Sequence, residues 1–162
     1  MRTGIGYDIH RLARDRRLVL GGVAIDHPQG LVGHSDGDVL LHALMDALLG
    51  AGGLGDLGTH FPSEDETYAG ADSLDLLRRV RTLLADVGFE VSSVDATVIA
   101  EQPRIGASVG AMRGAIATAL GIAPESVSVK ATTTDGLGVI GAGEAIAALA
   151  TALLVKDEQA RR

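Results

Sequence analysis

Residues 34–42 read HSDGDVLLH, two histidines and two aspartates flanking a glycine where the chain enters an apolar segment, and Asp46 follows four residues after His42. Asp38, His42 and Asp46 stand at i, i+4 and i+8, one stripe of a helix. The other positions from Val39 to Leu49 are apolar on nearly every side. A buried helix with one ionisable stripe must face something polar. Nearer the start, TGIGYDIH alternates Ile5, Tyr7 and Ile9 with Gly6, Asp8 and His10, so Asp8 and His10 share one face of a predicted strand. Asp8, His10 and His42 offer one carboxylate and two imidazoles, and three N/O ligands with a fourth position open is the pattern of a catalytic zinc site. A second reading also stands on spacing alone: Asp8 in a strand-end turn, and His42 hydrogen-bonded to Asp38 or Asp46 in a polar network of the core. The burial predicted for the helix favours the metal.

Two further stretches have the chemistry of phosphate recognition. GHSDGD is a glycine-flanked helix start whose free backbone N–H groups suit an anion, with His34 and Ser35 as side-chain donors. The plainer reading makes Ser35 the N-cap, with Asp38 three residues on completing a capping box. In KATTTDGLG, Lys130, Thr132, Thr133 and Thr134 precede a glycine turn that could cradle a diphosphate, although successive threonines are also ordinary strand residues. Asp56, alone between two Leu-Gly pairs, is a candidate for binding a substrate hydroxyl. Glu64, Asp65 and Glu66 read as a solvated acidic face, Arg78, Arg79 and Arg81 as a helix surface, and His27 and His60 as loop residues.

The elements that must position these groups follow from periodicity. A first strand spans about 3–10. LVLGGVAI reads as an antiparallel hairpin about Gly21 and Gly22, and DHPQGLVG as a loop. The polar-striped helix is predicted to end at Gly50. A long Gly/Pro/acid loop of functional length follows, then a helix over 72–87, a strand over 94–100, a helix over 107–120, a strand over 126–133 and a last helix over 144–155. Two strands separated by a helix imply a right-handed parallel crossover. The fold class is α+β, a mixed β-sheet with helices packed on it, as a single domain over 1–157 with a short charged tail at 158–162.

Composition excludes several function classes. The 162 residues suit one domain, with 46% hydrophobic but only 2% aromatic residues, so the core must be aliphatic. A formal charge of −7 argues against a nucleic acid or an anionic membrane surface as partner. With no cysteine, a metal must be held by His, Asp and Glu. The N-terminus lacks a signal-peptide or transit-peptide pattern. The membrane-length run at 136–155 is Gly-rich in its first half and carries Glu144, which favours a loop feeding a core helix over a membrane span. A soluble, cytoplasmic protein is the expectation.

Taken together, GYDIHRL, LVGHSDGDVLLHALMDALLGAGGLGDLGTHFP, DATVIAEQPRI and VKATTTDGLGVIGAGEAIAALA resemble one family over nearly the whole chain, the 2-C-methyl-D-erythritol 2,4-cyclodiphosphate synthases of non-mevalonate isoprenoid biosynthesis. The resemblance implies a lyase reaction in which the 2-phosphate of 4-diphosphocytidyl-2-C-methyl-D-erythritol 2-phosphate attacks its own β-phosphorus, closing a cyclic diphosphate and expelling CMP. It further implies that Asp8, His10 and His42 hold one zinc, or another divalent cation, per subunit. His34 and Thr133 match the positions that stabilise the transition state, and Ser35 joins His34 at phosphate. Asp56, Leu57, Gly58, Phe61 and Asp65 fall at substrate-binding positions, Asp56 beside the methylerythritol portion. Thr132, Thr133, Thr134 and Asp135 also fall at substrate positions, and Asp135 stands where a carboxylate binds magnesium or manganese. Ala100, Glu101, Gln102, Pro103, Arg104, Ile105 and Gly106, with Lys130 and Ala131, match the pieces that hold the nucleotide. Homotrimers with active sites between subunits are implied too, with Glu144 buried near the axis. On this reading Asp38 and Asp46 orient ligands or substrate hydroxyls.

The sequence departs from the family pattern in places. Asp135 replaces a common Glu, Arg104 a more usual Lys and Ser63 a frequent Asp. Ala142 stands where many members carry an Arg lining an axial cavity for an isoprenoid diphosphate, which leaves that ligand open here. Two rival functions share the same residues: a metal-dependent phosphoesterase, which would activate water instead, and a non-catalytic nucleotide- or metal-binding module.

Overall fold

The computed structural model describes residues 1–157; the charged tail at 158–162 lies outside the described residues. The chain runs β1 (Arg2–Arg14), β2 (Leu18–Leu20), β3 (Val23–Ile25), β4 (Gln29–Leu31), α1 (Val39–Gly52), α2 (Leu57–His60), α3 (Ser73–Asp86), β5 (Phe89–Ile99), α4 (Val109–Leu120), β6 (Val127–Thr132), α5 (Gly138–Gly141) and β7 (Ala145–Lys156). Five strands form a mixed sheet in the order β4-β1-β7-β5-β6, and β2 and β3 form a separate hairpin. Strand β7 is antiparallel to both β1 and β5, while β6 lies parallel to β5 through the α4 crossover. This is the α+β single domain that the sequence pattern predicts.

Strand β1 shows how the sheet meets the helices. Its even residues Gly4, Gly6, Asp8 and His10 face α1, and its odd residues Ile5, Tyr7 and Ile9 face away. A Cβ on Gly4 would stand 2.0 Å from the Ala47 carbonyl oxygen, and one on Gly6 2.0 Å from that of Ala43. Helix α1 therefore lies directly on the strand backbone, with nothing between. Leu40, Leu41, Leu44, Leu48 and Leu49 are fully buried, each contributing roughly 1.5–3 kcal/mol of transfer free energy. That total is large enough to hold a polar stripe in the same helix.

The N-cap of α1 is Asp38, not Ser35. The Asp38 carboxylate is fully buried and accepts from Leu41 N–H at 3.1 Å, Gly21 N–H at 3.0 Å and Gly22 N–H at 2.7 Å. One side chain thus caps the helix and ties it to the β2–β3 turn, so Asp38 is committed to the backbone and not to a ligand. At the other end the helix runs to Gly52, and Gly53 closes it at φ 73°, a left-handed cap that glycine adopts without strain.

The largest departure is at 144–155. The predicted helix is instead β7, the central strand of the sheet. Alanine and leucine favour helix in isolation, but Ala148, Ala150 and Ala152 pair opposite Asp8, Gly6 and Gly4, where only small side chains fit beneath α1. The alternation Ala148, Leu149, Ala150, Thr151, Ala152, Leu153 is a period of two. Among the described residues no helix is long and apolar enough to cross a membrane. Glu144 is exposed in the single chain. Residues 29–31 and 57–60, read as loop, form β4 and α2.

Among the described residues nothing covers the sheet face away from the helices: Ile5 is 68% and Tyr7 54% exposed, with Ile9 and Leu149 beside them. A groove of about 790 Å³ runs over it, bordered by Thr3, Ile5, Ser93, Asp95, Ser128 and Leu153.

Two glycines on the same pair of elements give opposite expectations. Gly6→Ala should destabilise by about 1–3 kcal/mol through overpacking. Gly50→Ala, where an added Cβ meets nothing within 4 Å, should stabilise by roughly 0.5–1 kcal/mol through helix propensity. Denaturant midpoints read both, and an unchanged midpoint for Gly6→Ala would contradict the close approach.

Candidate metal centre and its cavity

Because α1 rests on β1, its His42 comes down beside the strand residues Asp8 and His10. Asp8 Oδ2 lies 2.9 Å from His10 Nε2 and 3.0 Å from His42 Nδ1, and the imidazole centroids are 5.1 Å apart. One ligand atom from each residue fits within 4.8 Å of the others. A carboxylate oxygen and two imidazole nitrogens converging at that spacing are a donor set suited to zinc and similar divalent ions. Burial would raise the Asp8 carboxyl, yet hydrogen bonds and charge from His10 and His42 hold it well below the usual carboxylate range. Burial lowers the His10 imidazole, and the Asp8 hydrogen bond and charge more than offset that, leaving it raised.

Around this cluster the chain builds a cavity of about 240 Å³, whose walls include His10, His34, Ser35, His42, Leu57, Gly58 and Phe61. Helix α2 closes one side because Asp46, from the polar stripe of α1, accepts Leu57 N–H at 2.8 Å. Through that one carboxylate oxygen Asp46 anchors a cavity wall. Asp56 caps α2, accepting from Thr59 N–H and Oγ1–H, and its carboxyl is lowered chiefly by those bonds. Ser35 Oγ is 2.9 Å from His42 Nε2, so this hydroxyl touches the back of a candidate ligand. His34 Nε2 is 3.2 Å from the Asp65 carbonyl, while the Asp65 carboxylate accepts from Thr67.

A second cluster forms on the same rim of the sheet, at the ends of β5 and β6. Ala100 N–H donates to the Thr132 carbonyl at 3.0 Å. Glu101 Oε1 accepts from Thr134 N–H, Thr134 Oγ1–H and Gly136 N–H, folding the threonine turn against the 100–106 segment. Asp135 sits at φ 52°, exposed, its carboxylate accepting from Thr133 Oγ1–H at 3.2 Å. Ile105 is buried as an anchor. Lys130 pairs with Asp95 on the sheet, away from the turn.

The predicted site residues therefore fall in two groups. His10 on β1 pairs with Ile146 of β7, whose neighbour Ala147 pairs with Ile99 of β5, next to Thr132 of β6. Three strand spacings, about 14 Å, separate the groups, and neither Thr133 nor Asp135 borders the cavity of His34 and His42. Sequence reasoning missed Tyr68, which lines that cavity edge-on to Phe61 at 5.3 Å. It also missed Ser73, fully buried with Oγ 3.3 Å from His42 Nε2. Nothing local marks Ser73, which lies 31 residues from the histidine it meets.

Known proteins share this sequence pattern and this fold. The sequence profile of the YgbB family matches residues 1–155. A protein of Symbiobacterium thermophilum named 2-C-methyl-D-erythritol 2,4-cyclodiphosphate synthase is 59% identical over 154 residues, covering 95% of this chain and 98% of that protein. Among solved structures, the Plasmodium falciparum IspF–CDP complex superposes with a TM-score of 0.84 at 37% identity, covering 97% of each chain. The bifunctional IspDF of Campylobacter jejuni gives a TM-score of 0.92 at 41% identity, with 96% of this chain spanning 42% of that one.

The donor geometry predicts that zinc-loaded protein holds about one ion per chain, and that His42→Ala loses it while keeping its fold. Metal analysis after gel filtration, with circular dichroism as the fold control, checks this. Full retention of zinc by His42→Ala would remove His42 from the centre.

Proposed function

The chain belongs to the YgbB family, and from that membership and the centre just described we propose that it converts 4-diphosphocytidyl-2-C-methyl-D-erythritol 2-phosphate to 2-C-methyl-D-erythritol 2,4-cyclodiphosphate and CMP. The observation that carries the reading is the convergence of Asp8, His10 and His42 beside a cavity walled by His34 and Ser35. In the reaction an oxygen of the 2-phosphate forms a bond to the β-phosphorus, the bond from that phosphorus to the α–β bridging oxygen breaks, and CMP leaves with the electron pair. The substrate supplies its own nucleophile, so the protein contributes orientation and charge stabilisation.

Zinc held by Asp8, His10 and His42 would supply Lewis-acid charge to a phosphate oxygen, and magnesium or manganese at Asp135 a second positive charge between the phosphates. A single exposed carboxylate suits magnesium, which takes one or two carboxylates and keeps waters. His34 and the Ser35 hydroxyl donate to phosphate, and Thr133 donates to the phosphate nearer the nucleotide. The Asp56 carboxylate, at the α2 start, accepts from a methylerythritol hydroxyl, with Leu57, Gly58 and Phe61 excluding water. Residues 100–106 and 130–135 bind cytidine and its diphosphate.

The protein works as a homotrimer, with each active site made by the metal cluster of one subunit and the nucleotide cluster of its neighbour. Support comes from the size of the cavity, about 240 Å³, which is below the range for a drug-sized ligand of roughly 300–1,000 Å³. The distance to the nucleotide cluster and the exposed apolar sheet face around Ile5 and Tyr7 support it as well.

Incubation with the cytidine-diphospho substrate, followed by phosphorus NMR, should show a cyclic diphosphate and one CMP per turnover. Methylerythritol carrying two separate phosphates, or inorganic phosphate, in place of the cyclic diphosphate would indicate hydrolysis by a phosphoesterase, and binding without turnover a non-catalytic module.

Site sharing has its own test. Asp135→Asn should lose most turnover while retaining zinc. Refolding it together with inactive His42→Ala should restore up to about a quarter of wild-type activity, since random mixing leaves that fraction of shared sites intact in both halves. No recovery would place both clusters' work within one chain.

A further inference from the structure

The face of His42 turned away from Asp8 meets a chain of groups that the proposed reaction does not use. Ser73 Oγ lies 2.5 Å from Asp36 Oδ1 and 3.3 Å from His42 Nε2, and Asp36 Oδ2 also accepts Ser73 N–H at 3.1 Å. Ser73 is fully buried. We infer that Asp36, acting through the Ser73 hydroxyl, is a positioning group that holds His42 with its hydrogen on Nε2 and presents bare Nδ1 to the metal. The inference rests on the metal reading of the Asp8, His10 and His42 cluster.

A serine hydroxyl has one hydrogen to give. The short contact to a carboxylate commits it to Asp36, a charge-assisted bond stronger than one to a neutral acceptor. Only lone pairs of Ser73 Oγ then face the imidazole, and lone pairs can only accept. Ser35 Oγ, 2.9 Å from His42 Nε2, accepts Gly37 N–H at 3.3 Å and lies 3.4 Å from Ser73 Oγ. Its own hydrogen can turn to Ser73 or into the cavity, leaving a lone pair for His42. Both hydroxyls are therefore satisfied together when Nε2 carries the hydrogen. The opposite tautomer would set the Nε2 lone pair against those of Ser73.

With the hydrogen on Nε2, His42 gives up the hydrogen bond that its Nδ1 can make to Asp8 Oδ2 at 3.0 Å, and two acceptors face each other. A cation between them relieves that repulsion. The arrangement is a carboxylate–histidine–metal triad with a hydroxyl interposed: the carboxylate stands just before α1, and the hydroxyl comes from the start of α3, 37 residues further along the chain. Asp36 also accepts Asp38 N–H at 3.1 Å, which fixes the carboxylate relative to the start of α1.

Two measurements on full-length protein test this. Zinc affinity by competition with a chromophoric chelator should weaken about 10–100-fold in Ser73→Ala and in Asp36→Asn, while Ser73→Thr, which keeps the hydroxyl, should restore much of it. Thermal midpoints of the metal-free variants serve as the control for a purely structural effect. Long-range nitrogen–proton NMR of the zinc-loaded wild-type protein should show His42 with hydrogen on Nε2 and metal on Nδ1, an outcome that needs no variant to fold. Hydrogen on Nδ1, or unchanged zinc affinity in Ser73→Ala, overturns the inference and leaves the metal centre standing. A wild-type protein that binds no zinc overturns the metal reading and this inference with it.

Discussion

Everything at the centre depends on how closely α1 approaches β1. Two glycines in the strand and small residues in the helix let backbone rest on backbone, with Ala43 and Ala47 carbonyls occupying the space where side chains would stand. Only at that separation can the side chain of His42 share a carboxylate oxygen with His10 across two elements of different periodicity. The alanines of β7 extend the same shallow floor beneath the helix. Packing of this kind is intolerant of added volume, so the geometry of the three donors is set by the fold and not by their own flexibility.

The apolar mass of α1 and its polar stripe answer to different demands. Leucine burial fixes where the helix lies, and the stripe then distributes work along its length: Asp38 ties the start to the β2–β3 turn, His42 meets Asp8, and Asp46 anchors α2. Three ionisable residues that look equivalent in spacing thus do three things. The aspartates are each satisfied by backbone N–H groups, which leaves the histidine as the member of the stripe with a ring nitrogen directed at the donor cluster.

Much of this was legible in the sequence because it follows from period. The alternation at Ile5–His10 and the four-residue steps from Asp38 to Asp46 name the candidate metal cluster and its two elements, and the parallel crossover follows from order alone. The β7 strand was hidden because alanine-rich segments have strong helix propensity, and its burial under α1 is a tertiary fact that overrides propensity. Ser35 carries a capping signature yet serves His42, since Asp38 reaches more donors from the same turn. The Asp36–Ser73 contact spans 37 residues and had no local signal. Resemblance supplied what no spacing could, namely the reaction and the expectation of active sites between subunits.

The most direct test of the account is anomalous scattering at the zinc edge from crystals of metal-loaded protein. The account predicts one peak per chain within bonding distance, about 2.0–2.2 Å, of the Asp8 carboxylate and both imidazoles, His10 and His42, with the remaining position open toward the cavity. A cluster closed on itself by hydrogen bonds, with no peak among the three side chains or with the zinc bound elsewhere, would contradict it.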